Sequence, residues 1–284
     1  MTRLQILPII LMILSAFLYS LMYLDVKLIS TQYNPWTVIF FRGTSGFITG
    51  LLIALFFQIK PLFGMKTKQL LLRGILGGAA ISLSFLSLSY LSLSIGTTIV
   101  STSPLWTAFF SAFVKRKVWH RIDTIATILC LIGLGIITSF NYNDRKLIYI
   151  LLALLSAILQ GGVNVMIDEI KDENTIIISL FAMFGSINVS ITGFIYEQVK
   201  TPLIYSNHIW QLCLTGFLSL GAQALKTKSI QLSDGLGVII LRYLDVPFSM
   251  IWDTLFLQTK LTLSDYICIA FIMCGTSLCI AFKL

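Results

Sequence analysis

The feature that most constrains this chain is a succession of apolar runs, each about 20 residues long, the length that crosses a hydrocarbon core about 30 Å thick. Ten can be read: 4–24, 35–57, 70–91, 95–114, 123–140, 147–167, 175–196, 209–225, 235–256 and 264–282. Their expected fold is an all-α integral membrane protein of ten transmembrane helices. Composition agrees: 57% of residues are hydrophobic, 11% are charged, and the mean hydropathy is +0.91. A soluble chain carries about 25% charged residues. The first run lacks a small-x-small cleavage site and is followed by many like it, so it reads as a span and not as a signal peptide. The connections are short, and the polar loops of any size lie near 60–68, 168–174 and 200–208.

Placement of the cations sets the expected orientation. With the N-terminus inside, thirteen Lys and Arg, Arg73 and Lys226 among them, fall in inner segments and five in outer ones. Both termini are therefore expected in the cytoplasm. Trp36 and Trp210 then lie at outer span ends, where amphipathic rings are favoured. The net charge of +8 reads as orientation of a membrane chain, and no nucleic-acid partner is expected. The five cysteines sit inside apolar runs without CxxC or Cys/His clusters, so neither a metal nor a cofactor is expected.

Against this apolar background, residues 232–248 stand out. They form an apolar stretch that carries Arg242 and Asp245 three apart, on one helix face. A charge at membrane depth costs about 2.5–3.5 kcal/mol on insertion scales and turns toward a partner or a wet cavity. The pair either lines a substrate path or is an internal ion pair that fixes packing. Arg42, seven residues into the second run, either faces the same path, pairs with Asp25, or snorkels outward.

Weak self-similarity runs through the chain. Leu14-Ser15-Ala16 recurs as Leu155-Ser156-Ala157, Gly74 matches Gly216, Leu91-Ser92 and Gly96 match Leu232-Ser233 and Gly237, Pro104 matches Pro247, and Gly133 matches Gly275. The offsets are 141–143 residues, in constant order. Halves at 1–141 and 142–284 with five spans each must insert upside down relative to one another. That is an inverted 5+5 repeat, an architecture that places substrate sites near the midplane between repeats.

At the 141 offset, Tyr19 and Tyr23 of the first run correspond to Gln160 and Asn164. Two phenols and two amides at pseudo-symmetric positions make either a polar, stacking-capable pocket or ordinary interhelical hydrogen bonds. Gln223 joins this set. Tyr243 can stack on a ring or simply pack, and Trp106 and Trp252, just after the two prolines, can close over a ligand or fill the core. Pro104 and Pro247 are expected to kink their helices. The GxxxG pairs Gly46/Gly50 and Gly74/Gly78 allow close helix contact, with a homodimer seam as the alternative.

Three segments carry a family likeness: 91–106 with the basic turn Lys115-Arg116-Lys117-Val118-Trp119, then 226–235, then Leu241-Arg242-Tyr243-Leu244-Asp245-Val246-Pro247-Phe248. Together they resemble the EamA-type repeat of the drug/metabolite transporter superfamily, over nearly the whole chain. The resemblance implies ten helices, an inverted repeat, an inner-membrane location, and movement of a small organic metabolite without ATP hydrolysis. The stretch 242–248 is similar to the branch that includes bacterial S-adenosylmethionine uptake transporters, which implies that compound or a related nucleoside or amino-acid compound; export of amino acids is the alternative. Glutamates common in the family at the ends of the fourth and ninth helices are replaced here by Arg116 and Thr259. An intramembrane enzyme is disfavoured, because the two histidines, His120 and His208, lie in loops expected on opposite sides and no HExxH or GxSxG occurs. A scaffold without flux is the remaining class.

Overall fold

A computed structural model describes residues 3–114, 144–200, 209–233 and 236–258, together with positions 125, 128, 129, 132, 263, 266, 267, 269–271, 273 and 274. The greater part of each of the expected spans 123–140 and 264–282 lies outside these residues. Arg116, Thr259, His120, His208 and the Lys115–Arg121 turn lie outside them altogether.

In a medium without water every backbone group must be paired within the chain, and the described elements are all helical. They are α1 (Arg3–Ile29), α2 (Pro35–Phe56), α3 (Thr67–Tyr90), α4 (Leu93–Val100), α5 (Ser103–Val114), α6 (Asp144–Glu169), α7 (Thr175–Lys200), α8 (Ile209–Leu232), a 3₁₀ helix (Leu236–Leu244) and α9 (Asp245–Leu255). Five of them contain stretches long and apolar enough to cross a membrane: Ile6–Ile29, Pro35–Phe56, Thr67–Tyr90, Leu147–Glu169 and Thr175–Val199. Local chemistry sets the boundaries. The Asn34 side chain accepts the Trp36 N–H at 3.0 Å, with Pro35 opening α2. In α3, Ser82, Ser84, Ser87 and Ser89 donate to carbonyls three or four residues back, so their hydroxyls travel through an apolar layer already paired.

The expected fourth and ninth spans are not continuous α-helices. The fourth breaks at Ser101-Thr102 into α4 and α5, and the ninth is 3₁₀ before Asp245 and α after it. Pro104 and Pro247 therefore sit in the first turn of a new helix, where a missing N–H leaves no bond unmade, and do not kink an unbroken one. Hydroxyls of Thr97, Thr98 and Thr102 bond to carbonyls around the first break.

Side-chain contacts give the helix directions. Ser15 reaches the Ala222 carbonyl and Ser229 the Pro8 carbonyl, so α1 and α8 are antiparallel. Gly43 lies on Ile187 and Gly50 on Leu180, so α2 and α7 are antiparallel. Gly74 meets Phe181 and Gly78 meets Gly185, so α3 and α7 are parallel. Ser156 bonds to the Ala80 carbonyl and Val163 lies over Gly77, so α6 is antiparallel to α3. Lys27, near the end of α1, reaches the carbonyls of Leu88 and Leu91 at the end of α3. Hence α1, α2 and α3 each run opposite to the helix about 140 residues later, α6, α7 and α8. The pairings exchange accordingly: α1 packs on α8 as α6 packs on α3, α3 on α7 as α8 on α2, α5 on α6 as α9 on α1.

These seams are as close as backbones come. A Cβ on Gly185 would strike the Gly74 carbonyl, and one on Gly216 would strike Ser45 and the Gly46 backbone. The small residues of Gly46/Gly50 and Gly74/Gly78 are thus used inside the chain.

Candidate functional site

The bundle gathers its buried charge around α1. Tyr19 and Tyr23, one turn apart on α1, are both buried, with ring centroids 6.1 Å apart and planes 28° from parallel. The guanidinium of Arg242 lies over the Tyr19 ring, 4.4 Å from its centre. Arg242 Nη2 is 3.5 Å from the Tyr23 hydroxyl, and Nε donates to Asp245 Oδ2 at 3.2 Å. In a 3₁₀ helix residues three apart eclipse one another, so the junction between the 3₁₀ segment and α9 holds this pair in line. Arg242 and Asp245 are both buried. The Tyr19 hydroxyl donates to Gln223 Oε1 on α8.

Arg42 is also buried and does not snorkel. Its Nη1 donates to Ser186 Oγ on α7 at 2.8 Å, and its guanidinium lies 5.6 Å from the Phe85 ring centre. Among the described residues no ion pair joins it to Asp25.

Two residues read as inner-loop cations belong to the core instead. Arg73 is 0% exposed on α3 and donates to the Ile178 carbonyl at 3.1 Å. Lys226 is 0% exposed, because α8 continues seven residues past the expected end at 225. Arg73 interacts electrostatically with Tyr19 and Arg42, and Lys226 with Arg242, Arg73 and Asp245. The inner-side excess of cations inferred from loops is smaller by these two. One signal for Lys226 was present in the sequence: it follows Gln223 by three residues and shares its face. Arg73 had no such marker, since it adjoins the loop lysines Lys66 and Lys68.

The other expected site residues are arranged differently from the sequence pattern. Asn164 is buried and donates to Thr107 Oγ1 at 3.0 Å, tying α6 to α5. Gln160 is buried one turn before it. Among the described residues no hydrogen bond joins either amide to Tyr19 or Tyr23, so the amide beside the phenols is Gln223 and not the repeat-related pair. Trp106 is half-buried, packed on Gly161 with its ring edge toward Phe109. Trp252 is half-buried against α1, its indole N–H donating to Ser20 Oγ at 3.1 Å beside Phe17. Tyr243 is buried on the 3₁₀ helix.

Nearer the other end of α1, Asp253 of α9 accepts the Ser94 N–H at 2.6 Å and its hydroxyl, at the start of α4. Lys27, which holds the end of α3, also interacts electrostatically with Asp253. This contact clamps the end of α9 onto the first turn of α4.

Oppositely running repeats around buried charge match one family. The EamA-like transporter family profile fits the chain twice, at residues 6–139 and 147–281. The chain belongs to the EamA-like transporter family. It is therefore a multi-pass membrane protein of a transporter family in the drug/metabolite superfamily. No curated protein matches it. A solved structure described as "Crystal structure of protein" superposes with a TM-score of 0.69 at 15% identity, covering 95% of this chain and 96% of that one. At that identity the likeness shows the shared fold.

Proposed function

We propose that this EamA-like protein is a secondary transporter that moves a small organic metabolite by alternating access. Its moving parts are two inverted five-helix halves, residues 1–141 and 142–284, in a ten-span, inner-membrane arrangement with both termini cytoplasmic. The observation that carries the reading is the Arg242–Asp245 pair, buried against α1 of the opposite half, with Arg242 over Tyr19 and next to Tyr23. A buried charge pair of one half, set against the phenols of the other, is costly in a static bundle and useful in one whose halves part and re-form around a ligand. The substrate-contacting set is Tyr19, Tyr23, Arg42, Gln223, Arg242, Tyr243 and Asp245. Gln160, Asn164, Trp106 and Trp252 tune the adjoining helix contacts. The Asp253–Ser94 clamp closes the end of the path near Lys27, the outer end in this orientation. Opening it separates α9 from α4 and leaves the glycine seams intact.

S-adenosylmethionine is the metabolite that the resemblance of 242–248 favours, and related nucleoside or amino-acid compounds come next. The test is counterflow uptake of labelled metabolites into proteoliposomes. Saturable uptake by the wild type, lost in Asp245→Asn at equal membrane abundance, is the expected result. A protein that moves no solute is a scaffold, and wild-type flux in the variant removes the pair from the mechanism.

A further inference from the structure

Four cationic side chains, Arg42, Arg73, Lys226 and Arg242, are buried within one network, with exposures of 1, 0, 0 and 4%. Among the described residues one carboxylate, Asp245, interacts with them. The remaining buried acids are engaged elsewhere or stand apart. Glu173 accepts the backbone N–H groups of Met65 and Lys66, and Asp253 accepts Ser94. Asp25 makes no ion pair or hydrogen bond with the four among the described residues.

The donors of this network are left over. Arg42 Nε, Arg73 Nε and Nη2, Lys226 Nζ and Arg242 Nη1 are buried and have no hydrogen-bond partner among the described residues. Guanidinium and ammonium groups donate only, so what they lack is acceptor oxygens. Among the described residues the carboxylate of the Arg242–Asp245 pair keeps one unpartnered oxygen, Asp245 Oδ1. Water can satisfy the geometry but not the charge, and each uncompensated buried ion carries a desolvation penalty of several kcal/mol.

We infer that this site takes a metabolite of net negative charge bearing two or more carboxylate or phosphate oxygens, bound by Lys226, Arg73, Arg42 and Arg242 together. The inference rests on the transporter reading and replaces the substrate class that the resemblance of 242–248 suggests. Planar guanidinium groups suit two-pronged contact with either kind of oxyanion, and the lysine adds a point charge. Asp245 then holds Arg242 in register and leaves the net charge of the site positive. S-adenosylmethionine, with a sulfonium and an ammonium against one carboxylate, brings the wrong sign to this network.

The test uses the full-length protein in detergent, with melting temperature followed against succinate, inorganic phosphate, lysine and S-adenosylmethionine at constant ionic strength. Succinate or phosphate is expected to stabilise saturably, the better of the two distinguishing carboxylate from phosphate preference, and lysine and S-adenosylmethionine to do so weakly or not at all. Lys226→Gln should weaken the anion's apparent Kd by about tenfold or more, the scale of one hydrogen bond to a charged group. Lys226→Arg should retain most of the affinity, and Lys228→Gln, on an exposed position of the same helix, all of it. Should Lys226→Gln lose monodispersity, Arg73→Gln replaces it with the same expectation. Saturable stabilisation by lysine or S-adenosylmethionine without any by the anions overturns the inference. So does anion binding that these variants leave unchanged, or no binding by either anion. Failure of the transport reading looks different: anions bind, but counterflow detects no flux of any solute.

Discussion

Gly74 against Gly185 has its counterpart, 142 residues on from Gly74, in Gly216 against Ser45 and Gly46. Arg73, one residue from Gly74, has its counterpart in Thr215. The same contrast holds throughout. At the same offset of 142, Lys226 answers to Ser84, Asp253 to Ser111, Asp245 to Ser103 and Arg242 to Val100, all buried. The seams between the halves repeat, and the charged centre they enclose does not. Close packing needs only small volume, which both copies supply at equivalent places. A buried charge is costly wherever it stands, so each appears once, on whichever copy can reach the common centre. The fold is a doubled object, and its chemistry is a single one.

That contrast can be broken at the centre first. Asp245→Asn keeps the shape and removes the one carboxylate bonded to Arg242, and removing one partner of a buried pair costs about 3–5 kcal/mol. Uptake should vanish while membrane insertion persists, with the melting temperature in detergent reporting the loss. The seam comes next. Gly185→Ala and Gly216→Ala each drive a methyl group into backbone or a tightly held Ser45, and overpacking of this kind costs about 1–3 kcal/mol. The two should destabilise alike, as equivalent positions of one seam. Gly162→Ala, whose nearest neighbour would be Phe110 at 3.9 Å, should change stability by less than about 0.5 kcal/mol, read as a nearly unchanged melting temperature.

The clamp sharpens the comparison, since Ser111 stands where the other copy would need Asp253. Asp253→Asn weakens the charged acceptor of two Ser94 hydrogen bonds, a loss of about 1–3 kcal/mol. A cysteine placed at Ser92 should then react faster with a membrane-impermeant maleimide. Unchanged labelling would mean that this contact does not govern opening. The smallest effect belongs to Lys228→Gln, a surface change expected to stay within about 0.5 kcal/mol in the same melting assay.

Much of the fold was legible because its signals are local. Runs of apolar residues and the 141–143 offset survive without knowledge of neighbours. Part of the site was legible for the same reason: Arg242 and Asp245 are a local pair, and their burial follows from the apolar stretch around them. The phenols were placed correctly on one face of α1, but their amide partner was not. Offset arithmetic pointed to Gln160 and Asn164, whereas α8 brings Gln223 to Tyr19 and α5 brings Thr107 to Asn164. Repeat symmetry relates positions to one another and does not bring them together.

By itself the amino-acid sequence determined that this chain spans a membrane, that its two halves are copies, and that an arginine and an aspartate share a buried face. Only the tertiary structure decided that Arg73 and Lys226 are core residues. Hydropathy assigns a cation beside a loop to water, because it weighs each position by its neighbours in the chain. Whether such a cation is wet depends on neighbours in space. Here the glycine seams draw α2, α3, α7 and α8 so close together that both cations are sealed between helices.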